Sequence, residues 1–259
     1  MECRAPDPVA PARAPWFPRQ HGAWAMLAVP LLLGVAATAP SPWHLVLGVA
    51  AVAGYLAAAT AQAWLRARRR PTFLPSLALY GGVFATAGGL LLVAFPALLL
   101  ATVVVVPASA LVIGGARPGT PRDLVNSLAQ TAIALVLAPA AALLSGAWEA
   151  DTVLRATLVA AGYLVGTVLV VRSVIRQRGR LGFTAFSVAF HAALTVGAAV
   201  ILPWAYAACA AGLTARAIGL PIVERRRAGT ARPLRPVHVG IVEIVASTVL
   251  VVIAFVVPL

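Results

Sequence analysis

Two arginines one helical turn apart, Arg172 and Arg176, precede a serine and a histidine at the same spacing, Ser187 and His191. Side chains at i and i+4 share one face of a helix. Paired guanidiniums offer planar donor forks suited to phosphate or carboxylate. A histidine beside them can exchange a proton near neutral pH. The connection between the two pairs is short, so their helices are expected to be antiparallel neighbours with the pairs facing one another. Asp123 and Asn126, at i and i+3, would close that site from another helix, and His21 opens the first apolar run after Gln20. Glu243 lies inside the last apolar run and Arg216 inside the run before it. The expected ligand-binding set is therefore His21, Asp123, Asn126, Arg172, Arg176, Ser187, His191 and Glu243, with Arg216 and Glu243 expected as an ion pair. The set is more basic than acidic and suits an anionic head group attached to something apolar.

Each residue also has a plainer role. Asp123 can stabilise a helix N-terminus or pair with Arg122. His191 can hydrogen-bond a neighbouring helix without chemistry. Arg216 and Glu243 can pair because neither could stand alone in lipid. Arg19, Arg178 and Arg180 serve as topology determinants or contacts for anionic lipid head groups. No Asp/Glu-rich motif of the kind that holds Mg²⁺ occurs, and no HExxH, P-loop, GxSxG or CxxC. Cys3 and Cys209 form no ligand spacing. No metal or cofactor is expected, and binding or transport is favoured over catalysis.

The elements that must carry these side chains are membrane helices. The chain is 61% hydrophobic and 10% charged, against roughly a quarter charged for a soluble domain. Two 46-residue stretches, 20–65 and 71–116, hold no Asp, Glu, Lys or Arg. A span needs roughly 20 apolar residues, so each stretch crosses twice. The net charge of +13 is not a nucleic-acid signature, because the basic residues stand in short clusters between apolar runs rather than on one face. The reading is an all-α polytopic membrane protein, a bundle of about nine transmembrane helices. The spans fall at about 22–39, 42–64, 74–93, 97–114, 123–145, 152–174, 183–201, 204–221 and 239–257. Residues 1–18, with five prolines, read as a disordered cytoplasmic tail, and 19–259 as one transmembrane domain.

Orientation follows from arginine. All 20 basic residues are arginine, and 19 fall in the tail or toward the connections after spans two, four, six and eight, counting Arg172 and Arg216, inside spans six and eight, with the connections that follow them; Arg155 is the exception. The positive-inside rule then puts the N-terminus inside and the C-terminus outside. Trp43, Trp148 and Trp204 are expected at the outer boundary, and Trp16, Trp24 and Trp64 at the inner one. Small residues within spans, including Gly81-Gly82, Gly88-Gly89 and Gly162 with Gly166, are expected to let helix backbones approach closely.

Three strings carry a resemblance. Pro18-Arg-Gln-His-Gly-Ala-Trp-Ala-Met26 resembles the opening signature of YwiC-like membrane proteins, a bacterial family. Val171-Arg-Ser-Val-Ile-Arg-Gln-Arg178, followed by Ser187 and His191, and Val239-Gly-Ile-Val-Glu-Ile-Val245 also resemble that family's pattern. Asp123 and Asn126 stand where the family carries an Arg-rich turn ending in Asn-Asp, with the order altered here. The resemblance covers essentially the whole chain. It implies a multi-pass location in the bacterial inner membrane and a shared fold, but no reaction. The architecture is also similar to UbiA-type prenyltransferases, whose Asp-rich motifs are replaced here by arginine.

The leading expectation is binding or transport of a small anionic or amphipathic molecule in a polar pocket facing the cytoplasm. A transferase on a UbiA-like scaffold and a structural subunit of a membrane complex are the alternatives.

Overall fold

Prolines, glycines and short charged runs divide one long apolar sequence into antiparallel helices. The computed structural model describes residues 16, 22–115, 124–228, 234 and 236–259. The helices are α1 (Gly22–Ala36), α2 (Trp43–Arg66), α3 (Leu74–Ala94), α4 (Thr102–Gly114), α5 (Leu124–Leu135), α6 (Leu137–Leu144), α7 (Ala150–Ile175), α8 (Leu181–Ile201), α9 (Trp204–Arg227) and α10 (Pro236–Val256). Single 3₁₀ segments lead into α3 and α4, and no strand occurs among the described residues. Among the described residues, eight helical segments are long and apolar enough to cross a membrane, with mean hydropathies between 1.4 and 2.7, and α1 supplies a shorter apolar helix. The protein is an all-α polytopic membrane protein.

α5 and α6 together make one of the eight long segments. Pro139 has no N–H for the carbonyl of Leu135, and the helix breaks at Val136 between them. α9 continues to Arg227, past the end expected at residue 221. Pro221 lies buried inside it, and Arg225, Arg226 and Arg227 occupy its last turn, where positive charge complements the helix dipole.

α1 is the centre of the bundle, packing against α6, α10 and α7. Val29 and Leu33 of α1 meet Tyr163 and Leu164 of α7, Tyr206 of α9 and Leu250 of α10 in the main buried cluster. The contact with α6 is closest at Gly34, where an added Cβ would collide with the Ala138 carbonyl. His44 pins the first hairpin to α6: its Nδ1 accepts from the Ser41 N–H at 3.0 Å and its Nε2 donates to the Ala141 carbonyl at 2.8 Å.

α3 and α4 lie toward the edge. α3 buries Ser76, Tyr80, Ala87 and Leu91, which lie on one face, and its principal partner is α2. Leu79, Phe84, Leu90 and Val93 of α3 and Val103, Val106 and Leu111 of α4 are exposed, an apolar surface suited to lipid. The expected close approach at Gly81, Gly82, Gly88 and Gly89 is not observed, since nothing lies within 4 Å of a Cβ built at any of them. Those glycines sit off the face that α3 turns to α2. Gly162 and Gly166 of α7 do lie against neighbours, Leu194 and His191 of α8.

The Arg66–Arg70 connection lies at one end of the bundle with Arg176–Arg180 and Arg225–Arg227, hereafter the arginine-rich end. There Arg68 and Arg69 adopt left-handed φ values of 53° and 60°, and the Arg69 guanidinium lies 5.7 Å from the Trp64 ring centre. Tyr80 donates a 2.8 Å hydrogen bond to the Trp16 carbonyl, with the two rings edge to face. Trp43, Trp148 and Trp204 lie at the opposite end.

Candidate functional site

Four helices bring ionisable or hydroxyl side chains to one buried point near mid-bundle. α9 supplies Arg216, close to its own midpoint, and α10 supplies Glu243 two turns into that helix. Arg216 Nη1 donates to Glu243 Oε2 at 2.6 Å, and the two side chains are only 6% and 7% exposed. Thr167 of α7 donates to the same oxygen at 2.9 Å. Tyr163, one turn earlier on α7, donates to the Glu243 backbone carbonyl at 3.1 Å, with Oε2 at 3.5 Å. The carboxylate is therefore gripped from α7 and α9 together.

α8 completes the group. Its residue His191 is buried, with ring Nδ1 2.7 Å from the Ser187 carbonyl. A carbonyl can only accept, so Nδ1 carries the ring proton and Nε2 presents a lone pair. Arg216 Nη2 lies 3.4 Å from that lone pair. The ring occupies space left by Gly166, where a Cβ would fall 2.8 Å from Nε2. With Arg216 and Glu243 cancelling and the imidazole neutral, the group carries no net charge. That is the affordable state for ionisable side chains away from water. Three atoms in it are nonetheless buried without hydrogen-bond partners: Ser187 Oγ, Arg216 Nε and Glu243 Oε1.

The expected site residues divide as follows. Arg216, Glu243, His191 and Ser187 come together. Asn126 faces α4 instead: its Nδ2 donates to the Val112 carbonyl at 3.3 Å and its Oδ1 accepts from Gln130 at 2.6 Å. Arg172 is partly buried in the last turn of α7, and Arg176, the residue after that helix, is exposed. The guanidinium that meets the His191 ring comes from α9, not from these two arginines. His21 and Asp123 lie outside the described residues. Tyr163, Thr167 and Gly166 were not singled out as site residues; the i, i+4 hydroxyls of α7 were the available signal. Arg178 is engaged elsewhere, pairing with Glu224 of α9 at 3.3 Å and donating to the Val174 carbonyl at 2.7 Å. Among the described residues, no three His, Cys, Asp or Glu side chains gather as metal ligands.

An open groove of about 1040 Å³ runs between α1, α2 and α3, lined by residues such as Leu31, Val35, Val49, Val52 and Leu79. It is almost wholly apolar, and none of the network residues lines it.

Comparison with known proteins finds two similarities. Residues 17–142, which run from α1 into α6, match the family described as YwiC-like protein. The chain is 29% identical over 199 residues to a protein of Bacillus subtilis (strain 168) described as uncharacterized protein YwiC, an alignment covering 74% of this chain and 81% of that one. No solved structure matches. These two matches coincide with the resemblance carried by residues 18–26 and extend it across most of the helices: the chain is similar to YwiC-like proteins along most of its length.

Proposed function

We propose that the protein binds a small anionic or amphipathic molecule within the membrane, or moves it across, with Arg216 as the anchoring cation. The observation that carries this reading is the Arg216–Glu243–His191 network, which joins four helices away from both ends of the bundle. Ionisable residues at such depth are costly to keep, and their commonest justification is a pathway or binding site. Packing alone could be served by hydroxyls at less cost. The unpartnered Arg216 Nε and Ser187 Oγ leave donors available beyond those that hold the helices together.

The proposal places the protein in the bacterial inner membrane with the arginine-rich end in the cytoplasm. The Arg66–Arg70 and Arg225–Arg227 clusters would lie among anionic lipid head groups there, each arginine near such a surface adding about 1 kcal/mol of attraction.

The test is native mass spectrometry of the purified protein and of Arg216→Gln, looking for a co-purified small molecule. A bound species that is present in the natural protein and lost from the variant supports the reading. A correctly folded variant that retains the species, or a natural protein that never carries one and binds no small anion, assigns the network to helix packing instead.

A further inference from the structure

The three donor nitrogens of Arg216 are used unequally. Nη1 is held by Glu243 Oε2 at 2.6 Å. Nη2 makes only the long 3.4 Å contact with His191 Nε2, and Nε has no hydrogen-bond partner although it is buried. Nε and Nη2 lie along one edge of the planar guanidinium, the edge that can present two parallel N–H groups to a carboxylate. Ser187, one turn before His191 on α8, adds a buried hydroxyl that also lacks a partner.

Charge then constrains what can dock on that edge. Without ligand the group is neutral, as Arg216 and Glu243 cancel and His191 is uncharged. A monoanion on the Nε–Nη2 edge would leave one uncompensated negative charge inside the bundle, which is strongly unfavourable. A proton arriving with the anion removes that penalty. The basic atom already in contact with the edge is His191 Nε2. Glu243 has an unpartnered oxygen in Oε1, but its carboxylate is bound through Oε2 to Nη1 and Thr167 and not to this edge.

The surroundings of His191 single out this partner. On α9, Arg216 contacts the ring, while Thr214 meets Thr195 of α8 at 2.9 Å. Cys209 of α9 packs in the main apolar cluster, and Glu224 is held by Arg178. α7 faces the ring with Gly166; its Tyr163 and Thr167 are bonded to Glu243, and Arg172 lies more than a turn further toward the arginine-rich end. α10 contributes Glu243, whose carboxylate is held by the Arg216 that contacts the ring. Phe190 lies edge-on at 5.8 Å.

We infer that this site, on the anion-binding reading above, takes a monocarboxylate together with one proton, which His191 receives on Nε2. The proton comes from solvent: an O–H bond of hydronium breaks, its electron pair staying on water, and the Nε2–H bond forms, while no bond of the carboxylate changes. The Arg216 Nη2–H to His191 contact is exchanged for N–H donors from both residues to the carboxylate. Net charge at the site is the same before and after, so uptake through it is electroneutral.

The test uses full-length protein in lipid nanodiscs with lactate as the probe. Calorimetry in two buffers of unlike ionisation enthalpy counts the protons taken up per lactate bound, with about one expected near neutral pH. His191→Gln keeps a neutral, hydrogen-bonding side chain. It should take up no proton and bind lactate more than about 10-fold more weakly, because the charge is left uncompensated. Glu243→Gln, if it folds, leaves Arg216 with unmatched positive charge. It should bind lactate at least as tightly as the natural protein and without a proton. Lactate binding by the natural protein without proton uptake overturns the inference while leaving the anion-binding reading intact. Undiminished proton uptake in His191→Gln also overturns it. Failure of the natural protein to bind lactate overturns it too, and the co-purification experiment then decides separately on anion binding.

Discussion

Arg216 and Glu243 are each intolerable alone at their depth, so the energetics of one cannot be assigned without the other. Glu243→Gln removes the charge that Arg216 faces but leaves a side chain of nearly the same shape. The expected loss is about 3 kcal/mol, the cost of stranding one member of a buried ion pair. Arg216→Gln should cost a comparable amount, by leaving the carboxylate with Thr167 and Tyr163 alone. Together the two changes leave a neutral amide pair, and much of the loss should return. Thermal unfolding of the four proteins in detergent measures the coupling, and additive losses would show that the contact contributes nothing. The pair was legible in the sequence because two opposite charges occur in consecutive apolar runs. Tyr163 and Thr167 were not, since an isolated hydroxyl in an apolar helix reads the same whether it binds a carboxylate or its own backbone. Thr157, for instance, simply donates to the Val153 carbonyl. The partner of His191 was misjudged for a related reason. Both connections flanking α8 are short, so α7 and α9 were equally eligible neighbours, and only the packing shows that the guanidinium comes from α9.

At the scale of helices, the spans were legible because uncharged stretches of membrane length are bounded by Pro, Gly and Arg. What sequence could not supply was which face of each helix turns inward. Glycine makes the point. Gly34 and Gly88 are both helical glycines in apolar spans, yet a methyl at Gly34 would strike the Ala138 backbone carbonyl, while a methyl at Gly88 would meet nothing within 4 Å. Backbone cannot move aside as a flexible side chain can, so Gly34→Ala should force α1 and α6 apart and cost about 1–3 kcal/mol. Gly88→Ala should be neutral, or stabilising by up to about 1 kcal/mol through helix propensity. Opposite signs for the same chemical change, read as melting temperatures in one detergent, are the expected result. A tolerated Gly34→Ala would mean that the α1–α6 contact is looser than drawn. The end of α9 was likewise illegible, because Pro221 and the following arginines resemble a stop. A proline removes one backbone hydrogen bond, and neighbouring helices can accommodate that loss within a bundle.

For the whole molecule, the open question of geometry is which way it faces and whether α1 completes a crossing. Counting α5 with α6 as one segment, the described residues hold eight long spans plus α1. At about 1.5 Å per residue, the 15 residues of α1 fall short of a hydrocarbon core of about 30 Å. α1 nevertheless lies at the middle of the bundle, with Val29 and Leu33 at 1% and 0% exposure. A helix so enclosed need not match the bilayer by itself, because its neighbours shield its ends. A crossing by α1 makes the total odd and puts the two termini on opposite sides. It also assigns, in sequence, eighteen of the twenty arginines to one side, all but Arg155 and Arg216, as the positive-inside rule requires. Without that crossing, the tail arginines Arg4, Arg13 and Arg19 would lie across the membrane from the clusters at 66–70 and 225–227. Reporter fusions fix the orientation and an N-terminal tag decides the crossing: alkaline phosphatase joined after Leu259 should be active, fusions joined after Arg70 and after Arg227 should be inactive, and a tag at the N-terminus should be protected from protease in intact spheroplasts. Fluorescent-protein fusions at the same three positions should give the reverse pattern. An N-terminal tag open to protease, with the three fusions unchanged, would leave α1 as a re-entrant helix and put the tail across the membrane from the arginine clusters.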